Sequence, residues 1–208
     1  MRFLDYNSSF ITLMNKLADL VLLNILFIVG CLPIFTIGAS LSALYYVSLK
    51  LSSNSCSSIM KSFFKSFIEN FKQASIIQLL IMSVYSILVA IYLFLSASEF
   101  ELKNIFIIAF IIIAILLFFI IVYIFPLISR FHNSIAVCIK NAFIISITNL
   151  KYTLLIVIIY VLPFSIMFQF PKYILVILTA MIIFGFSVIS YMCSFIFSKI
   201  FNKYITDN

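Results

Sequence analysis

Five long uncharged runs dominate the chain, and short polar connections that contain lysine or arginine separate them. A membrane-crossing helix needs about 20 consecutive apolar residues, so every run is long enough to cross a bilayer, and the first is too long for one helix. The pattern predicts one membrane domain, residues 1–208, folded as an all-α, polytopic transmembrane helix bundle. We expect about six spans, at residues 17–33, 36–50, 74–97, 104–128, 152–170 and 173–197.

The first uncharged run, residues 20–49, contains the strongest backbone irregularity of the sequence. Pro33 lacks an amide hydrogen and disfavours helical geometry in the residue before it, so we expect a break there. Thr36 is expected to cap the helix that follows. Gly38 offers a small surface that would let the two limbs of this hairpin approach closely. The run therefore predicts a hairpin whose fixed shape matters for function.

Residues 57–72 carry phenylalanines and lysines at helical spacing. Apolar residues, Phe64 and Phe71 among them, recur in the i, i+1, i+4, i+5 pattern of one helix face, whereas lysines, including Lys72, occupy other faces. This pattern favours a separate amphipathic helix in the headgroup plane of an anionic leaflet. Packing of the same helix on the bundle is the alternative, and the two are compatible.

The basic residues predict the orientation of the chain. With six crossings, only Lys103 and Lys172 of the thirteen lysines and arginines lie opposite the other eleven. The positive-inside rule places the eleven, with both termini, in the cytoplasm of a bacterial cell, and contact with anionic lipid follows. Nucleic-acid binding is not expected, because the net charge of +7 has this simpler explanation. If residues 36–50 only re-enter the membrane, five spans remain and the separation falls to nine against four.

Composition and spacing offer little reactive chemistry. Hydrophobic residues make up 65% of the chain and charged residues 9%, which excludes a soluble domain. The four cysteines are far apart and are expected as free thiols, and no cofactor or metal site is predicted. Buried amides such as Asn24, Gln78 and Gln169 are expected to form hydrogen bonds between helices. Tyrosines near span ends, Tyr45 included, are expected to anchor the interfaces. We therefore expect a protein that is not an enzyme.

Three blocks of motif residues extend over nearly the whole chain. The first combines Asn24 with Pro33-Ile34-Phe35-Thr36-Ile37-Gly38-Ala39 and Ala43-Leu44-Tyr45-Tyr46; the second combines Phe63-Phe64-Lys65-Ser66-Phe67 with Asn70-Phe71-Lys72-Gln73-Ala74; the third combines Phe125-Pro126-Leu127, Arg130-Phe131, Asn133 and Lys140-Asn141-Ala142. Together these blocks resemble the YesL-like family of bacterial integral membrane proteins, domain of unknown function 624. The resemblance implies a role in saccharide uptake, because members are often encoded beside carbohydrate ABC importers.

Two functional hypotheses follow for a multi-pass protein of the bacterial cell membrane. The first is an accessory or interaction partner of carbohydrate ABC transporter subunits, and the second is a channel-like or facilitative saccharide transporter. Residues 130–151 are more polar than the spans and are expected to be helical. An ABC permease subunit is a weaker third hypothesis, because these residues lack the glutamate and glycine of its coupling motif. The candidate residues are Asn24, Pro33, Thr36, Gly38, Tyr45, Phe64, Phe71, Lys72, Pro126, Arg130, Asn133 and Asn141.

Overall fold

The structure, a computed structural model, describes residues 9–97 and 103–206. Within these residues the chain is almost entirely helical and contains no strand, which confirms the all-α prediction. The α-helices are α1 (Ser9–Gly30), α2 (Ile37–Ser52), α3 (Ile59–Ala97), α4 (Lys103–Arg130), α5 (Ile135–Thr148), α6 (Leu150–Gln169), α7 (Ile174–Ala180) and α8 (Phe186–Thr206).

Six helical segments of the described residues are long and apolar enough to cross a membrane. This confirms a polytopic helix bundle with six candidate spans. Their bounds are Phe10–Gly30, Ile34–Ser52, Ile59–Ala97, Asn104–Arg130, Leu150–Gln169 and Pro171–Tyr204. The first span begins earlier and the last ends later than the sequence pattern predicts, because helix continues into the polar flanks at both places.

The predicted break in the first run is present. Helix α1 ends at Gly30, and a 3₁₀ turn, Ile34–Thr36, precedes α2. Pro33 has extended backbone angles, φ −78° and ψ 127°, which interrupt the helix as its missing amide hydrogen requires. We call residues 31–36 the hairpin turn.

The prediction of a separate interfacial helix at 57–72 is wrong. Those residues from Ile59 onward form about the first third of α3, which continues without interruption to Ala97. The 39-residue helix is about 58 Å long, nearly twice the bilayer hydrocarbon. The helix continues because Ile59–Ala97 contains neither glycine nor proline. A change from charged to apolar residues does not by itself end a helix.

The first half of α3 packs on protein along one face. Phe63 and Ser66 are buried against α2, whereas Phe64, Phe71 and Lys72 are exposed. The phenylalanine stripe is therefore divided between core and surface. This is the bundle-packing alternative, and contact of the exposed face with anionic lipid stays a prediction.

The closing part of the chain is less regular than a simple span. A 3₁₀ turn at Pro171–Tyr173 separates α6 from α7, at the boundary predicted between the spans 152–170 and 173–197. Between α7 and α8, Met181–Gly185 forms a π-helical segment. Helix α5 confirms the helix expected between residues 130 and 151, and its 14 residues are too few to cross a membrane.

The core lies where α2, α4 and α8 meet. The rings of Tyr45 and Tyr123 both contact Phe197 edge-on, at centroid distances of 5.5 and 5.3 Å. Tyr45 is only 2% exposed, so the prediction that it anchors a membrane interface is wrong. Many aliphatic side chains of α3, α4 and α6 point outward instead, as expected of helices in contact with lipid.

Candidate functional site

The hairpin turn is held by the hydroxyl of Thr36. Its Oγ1 lies 2.7 Å from the carbonyl oxygens of both Gly30 and Pro33, to which it donates. Thr36 is the N-cap residue of α2, as predicted, but its side chain forms no capping hydrogen bond there, so that part of the prediction is wrong. The hydroxyl satisfies the Gly30 carbonyl at the end of α1, and it fixes the turn by bonding Pro33 as well.

Gly38 lies at a close contact between helices, although not with the limb that the sequence suggests. A Cβ atom built on Gly38 would lie 2.5 Å from the carbonyl oxygen of Ala74 and 3.0 Å from the ring of Phe125. The start of α2 therefore packs against α3 and α4, whereas the sequence predicted packing against α1. The general prediction of close backbone approach is confirmed, and its partner is corrected.

Asn24 joins the first helix to the irregular segment of the last span. Its side chain is fully buried and donates to the carbonyl oxygens of Met181 and Ile182, at 3.1 and 2.6 Å. Its Oδ1 accepts from the backbone amide of Ser187 at 2.9 Å. All three partners belong to or flank the π-helical segment, whose backbone groups lack regular α-helical partners. The predicted interhelical role of Asn24 is confirmed.

The other buried amides behave differently. Gln169 is exposed at the end of α6, so the prediction that it is buried is wrong. Gln78 is half-buried beside Gly38.

A second group of polar contacts lies where α4 ends. Gln73 on α3 donates to the carbonyl oxygen of Asn133 at 2.8 Å and contacts the Cys138 sulfur at 3.4 Å. Arg130 donates through its guanidinium to Oδ1 of Asn202 on α8, at 2.8 Å. These bonds bring α3, the loop after α4, and the end of α8 together.

The beginning of α6 joins the same region. Nδ2 of Asn149 donates to the hydroxyl of Tyr204 at 3.1 Å, and Thr148 lies 3.1 Å from the same hydroxyl. Lys199 lies over the ring of Tyr152, with its Nζ 5.6 Å from the centroid. The region therefore combines residues from five helices.

An open cleft of about 380 Å³ lies within this region. We call it the basic-end cleft. It is lined by Leu127, Phe131, Asn133, Asn141, Ile144, Ile145 and Tyr204. Two of the predicted site residues, Asn133 and Asn141, line it directly, and Arg130 immediately precedes Phe131.

The remaining predicted residues do not form one site. Asn24, Pro33, Thr36 and Gly38 lie around the hairpin, whereas Phe64, Phe71 and Lys72 lie exposed on α3. Pro126 lies within the last turn and a half of α4, where its carbonyl oxygen accepts from Ser129 at 2.7 Å. The hydroxyl of Tyr45 is buried without a hydrogen-bond partner among the described residues. The structure thus separates a hairpin group from the basic-end cleft.

Sequence reasoning missed several members of these groups. Gln73 belongs to the second motif block, but its hydrogen bond to the loop after α4 was not predicted. Asn202 and Tyr204 lie in a short polar stretch after the last apolar run, a weak signal for a site. The hydroxyl pair Ser48 and Ser190, 2.7 Å apart between α2 and α8, has no sequence signature.

The chemistry available in the described residues is that of neutral hydrogen bonding and exposed charge. Among them, no three His, Cys, Asp or Glu side chains come together as a metal site. Burial raises the pKa of the Cys138 thiol, and the hydrogen bond with Gln73 acts in the opposite direction. The thiol therefore stays protonated at neutral pH and is not an activated nucleophile.

Comparison with known protein families yields a match over part of the chain. Residues 20–92 match the sequence model of a family described as "Protein of unknown function, DUF624". The match includes the second half of α1, the hairpin turn, α2 and α3 as far as Tyr92, and so contains Asn24, Gly38 and Ala74. It confirms the resemblance to this family. Neither curated proteins nor solved structures give a match.

Proposed function

We propose, from the premise that residues 20–92 match the DUF624 family, that this protein is a bacterial inner-membrane accessory protein for carbohydrate uptake. It acts by binding subunits of an ABC-type importer through the polar, basic surface around the basic-end cleft. The proposal assigns it no catalytic step and no cofactor.

The distribution of charge is the observation that carries this proposal. The buried polar side chains of the described residues are neutral hydroxyls and amides, and no charged side chain is buried among them. Charged groups within spans usually mark ion or proton pathways, so their exposure favours an interaction role over ion-coupled transport. Arg130, Lys140 and Lys203 are instead direct sequence neighbours of residues that line an open cleft.

The carbohydrate part of the proposal comes from the family resemblance. Association of family members with saccharide importers supports an importer subunit as the partner. An extended polar surface on helix ends suits a partner protein, because such surfaces supply oriented hydrogen-bond donors and charges at an interface.

The proposal places both chain termini in the cytoplasm, although residues 1–8 and 207–208 lie outside the described residues. The eleven basic residues on one side support this orientation. Residues 20–49 contain no charge. The separation of eleven basic residues from two is therefore the same whether both limbs of the hairpin cross the membrane or neither does.

The contacts of Gly38 support a hairpin that turns back. Phe125 is 22 residues along α4 from Lys103, about 33 Å, which is the thickness of the bilayer hydrocarbon. Gly38 contacts Phe125 and also Ala74, the first residue of the predicted third span. Six crossings would put Gly38 on the opposite side from both. We therefore propose four crossings, by α3, α4, α6 and the α7–α8 segment, with the hairpin turn inserted from the cytoplasmic side.

Cysteine labelling tests this orientation. In a chain whose four native cysteines are replaced by serine, Lys172→Cys should react with an impermeant maleimide in intact cells. Asn133→Cys should react only in inside-out vesicles. Ile34→Cys, at an exposed position of the hairpin turn, should not react in intact cells. Labelling of Ile34→Cys from outside to the extent seen for Lys172→Cys would show that the hairpin crosses.

Affinity purification tests the proposed partner. The tagged chain, isolated from its native membrane in mild detergent, should retain a carbohydrate importer subunit. Lys140 is an exposed residue of α5 beside Asn141. Lys140→Glu should lower the amount of importer subunit recovered by up to about fivefold, since an exposed ion pair contributes at most about 1 kcal/mol. Lys172→Glu is the matched control and should leave recovery unchanged.

Two outcomes would contradict the accessory role. One is an equal loss of the importer subunit with Lys140→Glu and with Lys172→Glu, which would show that the basic-end cleft is not part of the interface. The other is saccharide flux into proteoliposomes that contain this chain alone, which would identify a transporter instead.

A further inference from the structure

We propose that the basic-end cleft binds the headgroup of an anionic phospholipid of the cytoplasmic leaflet. The inference rests on the orientation given under the proposed function and assigns a ligand to a defined place. It does not depend on the identity of a partner protein.

The lining of the cleft has the two-sided character of a lipid site. Leu127, Ile144 and Ile145 supply an apolar part that suits the glycerol and upper acyl region. Asn133 and Asn141 supply amide groups, which can donate hydrogen bonds to phosphate oxygens, and Tyr204 adds a hydroxyl to the polar side. A neutral sugar would leave the apolar part in contact with water.

Basic residues adjoin the lining of the cleft. Residues 104–206 contain no aspartate or glutamate. Three basic residues are direct sequence neighbours of the lining: Arg130 precedes Phe131, Lys140 precedes Asn141, and Lys203 precedes Tyr204. Lys140 and Lys203 are exposed, and Arg130 is half-buried with its guanidinium bonded to the neutral amide of Asn202. A lipid phosphate would bring a negative charge to the side of the cleft where Arg130 and Lys140 adjoin the lining.

Helix α5 places the cleft at headgroup depth. One face of this short helix, including Cys138 and Ala142, is buried against the bundle. Its other side exposes Val137, Phe143 and Ile147, each about 40% exposed, together with Lys140. A helix that combines an exposed apolar side with lysine, and is too short to cross, lies along the membrane surface. Asn141 therefore faces the cleft at the level where phosphate groups occur.

Lipid retention by the purified full-length chain tests the proposal. The probes are phosphatidylglycerol, which is anionic, and phosphatidylcholine, which is neutral, titrated into protein in neutral detergent and counted by native mass spectrometry. We expect phosphatidylglycerol to bind at least fivefold more tightly. Lys140→Gln and Arg130→Gln should each weaken its binding roughly fivefold, as expected for loss of one basic residue near an anionic headgroup. Phosphatidylcholine binding should not change.

Matched variants separate charge, shape and folding. Arg130→Lys should keep most of the preference, because the positive charge remains. Asn141→Leu should reduce the binding of phosphatidylglycerol by removing an amide from the lining. Lys172→Gln, between α6 and α7, should have no effect. Far-ultraviolet circular dichroism of each variant confirms that the helices are intact, and Lys140→Gln is a surface change that leaves the Arg130–Asn202 bond in place.

Three results would overturn the assignment. One is equal affinity for the two lipids, and another is a loss with Lys172→Gln as large as that with Lys140→Gln. The third is displacement of the lipid by inorganic phosphate at equal concentration, which would identify a site for a free anion. Because no importer is present, failure of the partner experiment leaves these results unaffected.

Discussion

Replacing Gly38 with leucine is expected to destabilise the folded protein by about 3 kcal/mol, the upper end of the range for overpacking in a close-packed interior. The nearest atom to an added Cβ is the carbonyl oxygen of Ala74, at 2.5 Å. Backbone cannot rotate away as a side chain can, so α2 would have to move from α3 and from Phe125. Unfolding of the purified protein in detergent, followed by circular dichroism, measures the change.

Gly30→Ala and Gly38→Ala form a matched pair for the same prediction. A Cβ on Gly30 would meet the Ser40 hydroxyl at 2.6 Å, and a serine side chain can rotate. Gly30→Ala should therefore be close to neutral, while Gly38→Ala should be clearly destabilising. Equal stability of the two variants would show that the Gly38 contact is not tight.

Replacing Asn24 with leucine is expected to destabilise the protein by about 2 kcal/mol. The change removes three hydrogen bonds to the π-helical segment, and such bonds between membrane helices contribute about 0.6 kcal/mol each on average. The carbonyl groups of Met181 and Ile182 and the amide of Ser187 would lose these partners in a buried place. The same unfolding measurement detects the loss, and proteolysis near Met181–Gly185 should become faster.

Asn15→Leu is the control for this variant. Asn15 lies on the same helix and is exposed, so the identical substitution there should change stability by less than about 0.5 kcal/mol. If Asn24→Leu were as stable as Asn15→Leu, the contact between α1 and the π-helical segment would not contribute to folding.

Local signals in the sequence were sufficient for the class of fold and for the position of the break. Uncharged runs of about 20 residues predict membrane helices because unsatisfied backbone groups are costly in lipid. Pro33 predicts a break because its missing amide hydrogen and its effect on Leu32 both disfavour a continuous helix, although Pro126 lies within α4 without ending that helix. The polarity of the connections and the presence of α5 follow from composition in the same way.

The basic-end cleft was predicted only in part. Arg130, Asn133 and Asn141 attracted attention as motif residues, but nothing local indicates that Gln73, Asn202 and Tyr204 lie beside them. Gln73 and Asn133 are 60 residues apart, and Arg130 and Asn202 are 72 apart. Which polar residues share a cleft depends on how helices cross, and the helical period of each segment does not contain that information.

Tertiary packing decided the roles of the residues within each helix. Tyr45 looks like an interfacial tyrosine from its place near a span end, yet its ring packs on Phe197 inside the core. Gly38 offers a small surface to any neighbour, and only the assembled bundle selects α3 and α4. Asn24 finds its partners 157 residues away, in backbone groups that a π-helical segment leaves available. The sequence alone therefore determined which segments are helices in a membrane, because that depends on nearest neighbours along the chain. Contacts between distant segments determined which side chains stabilise the bundle and which remain free to bind.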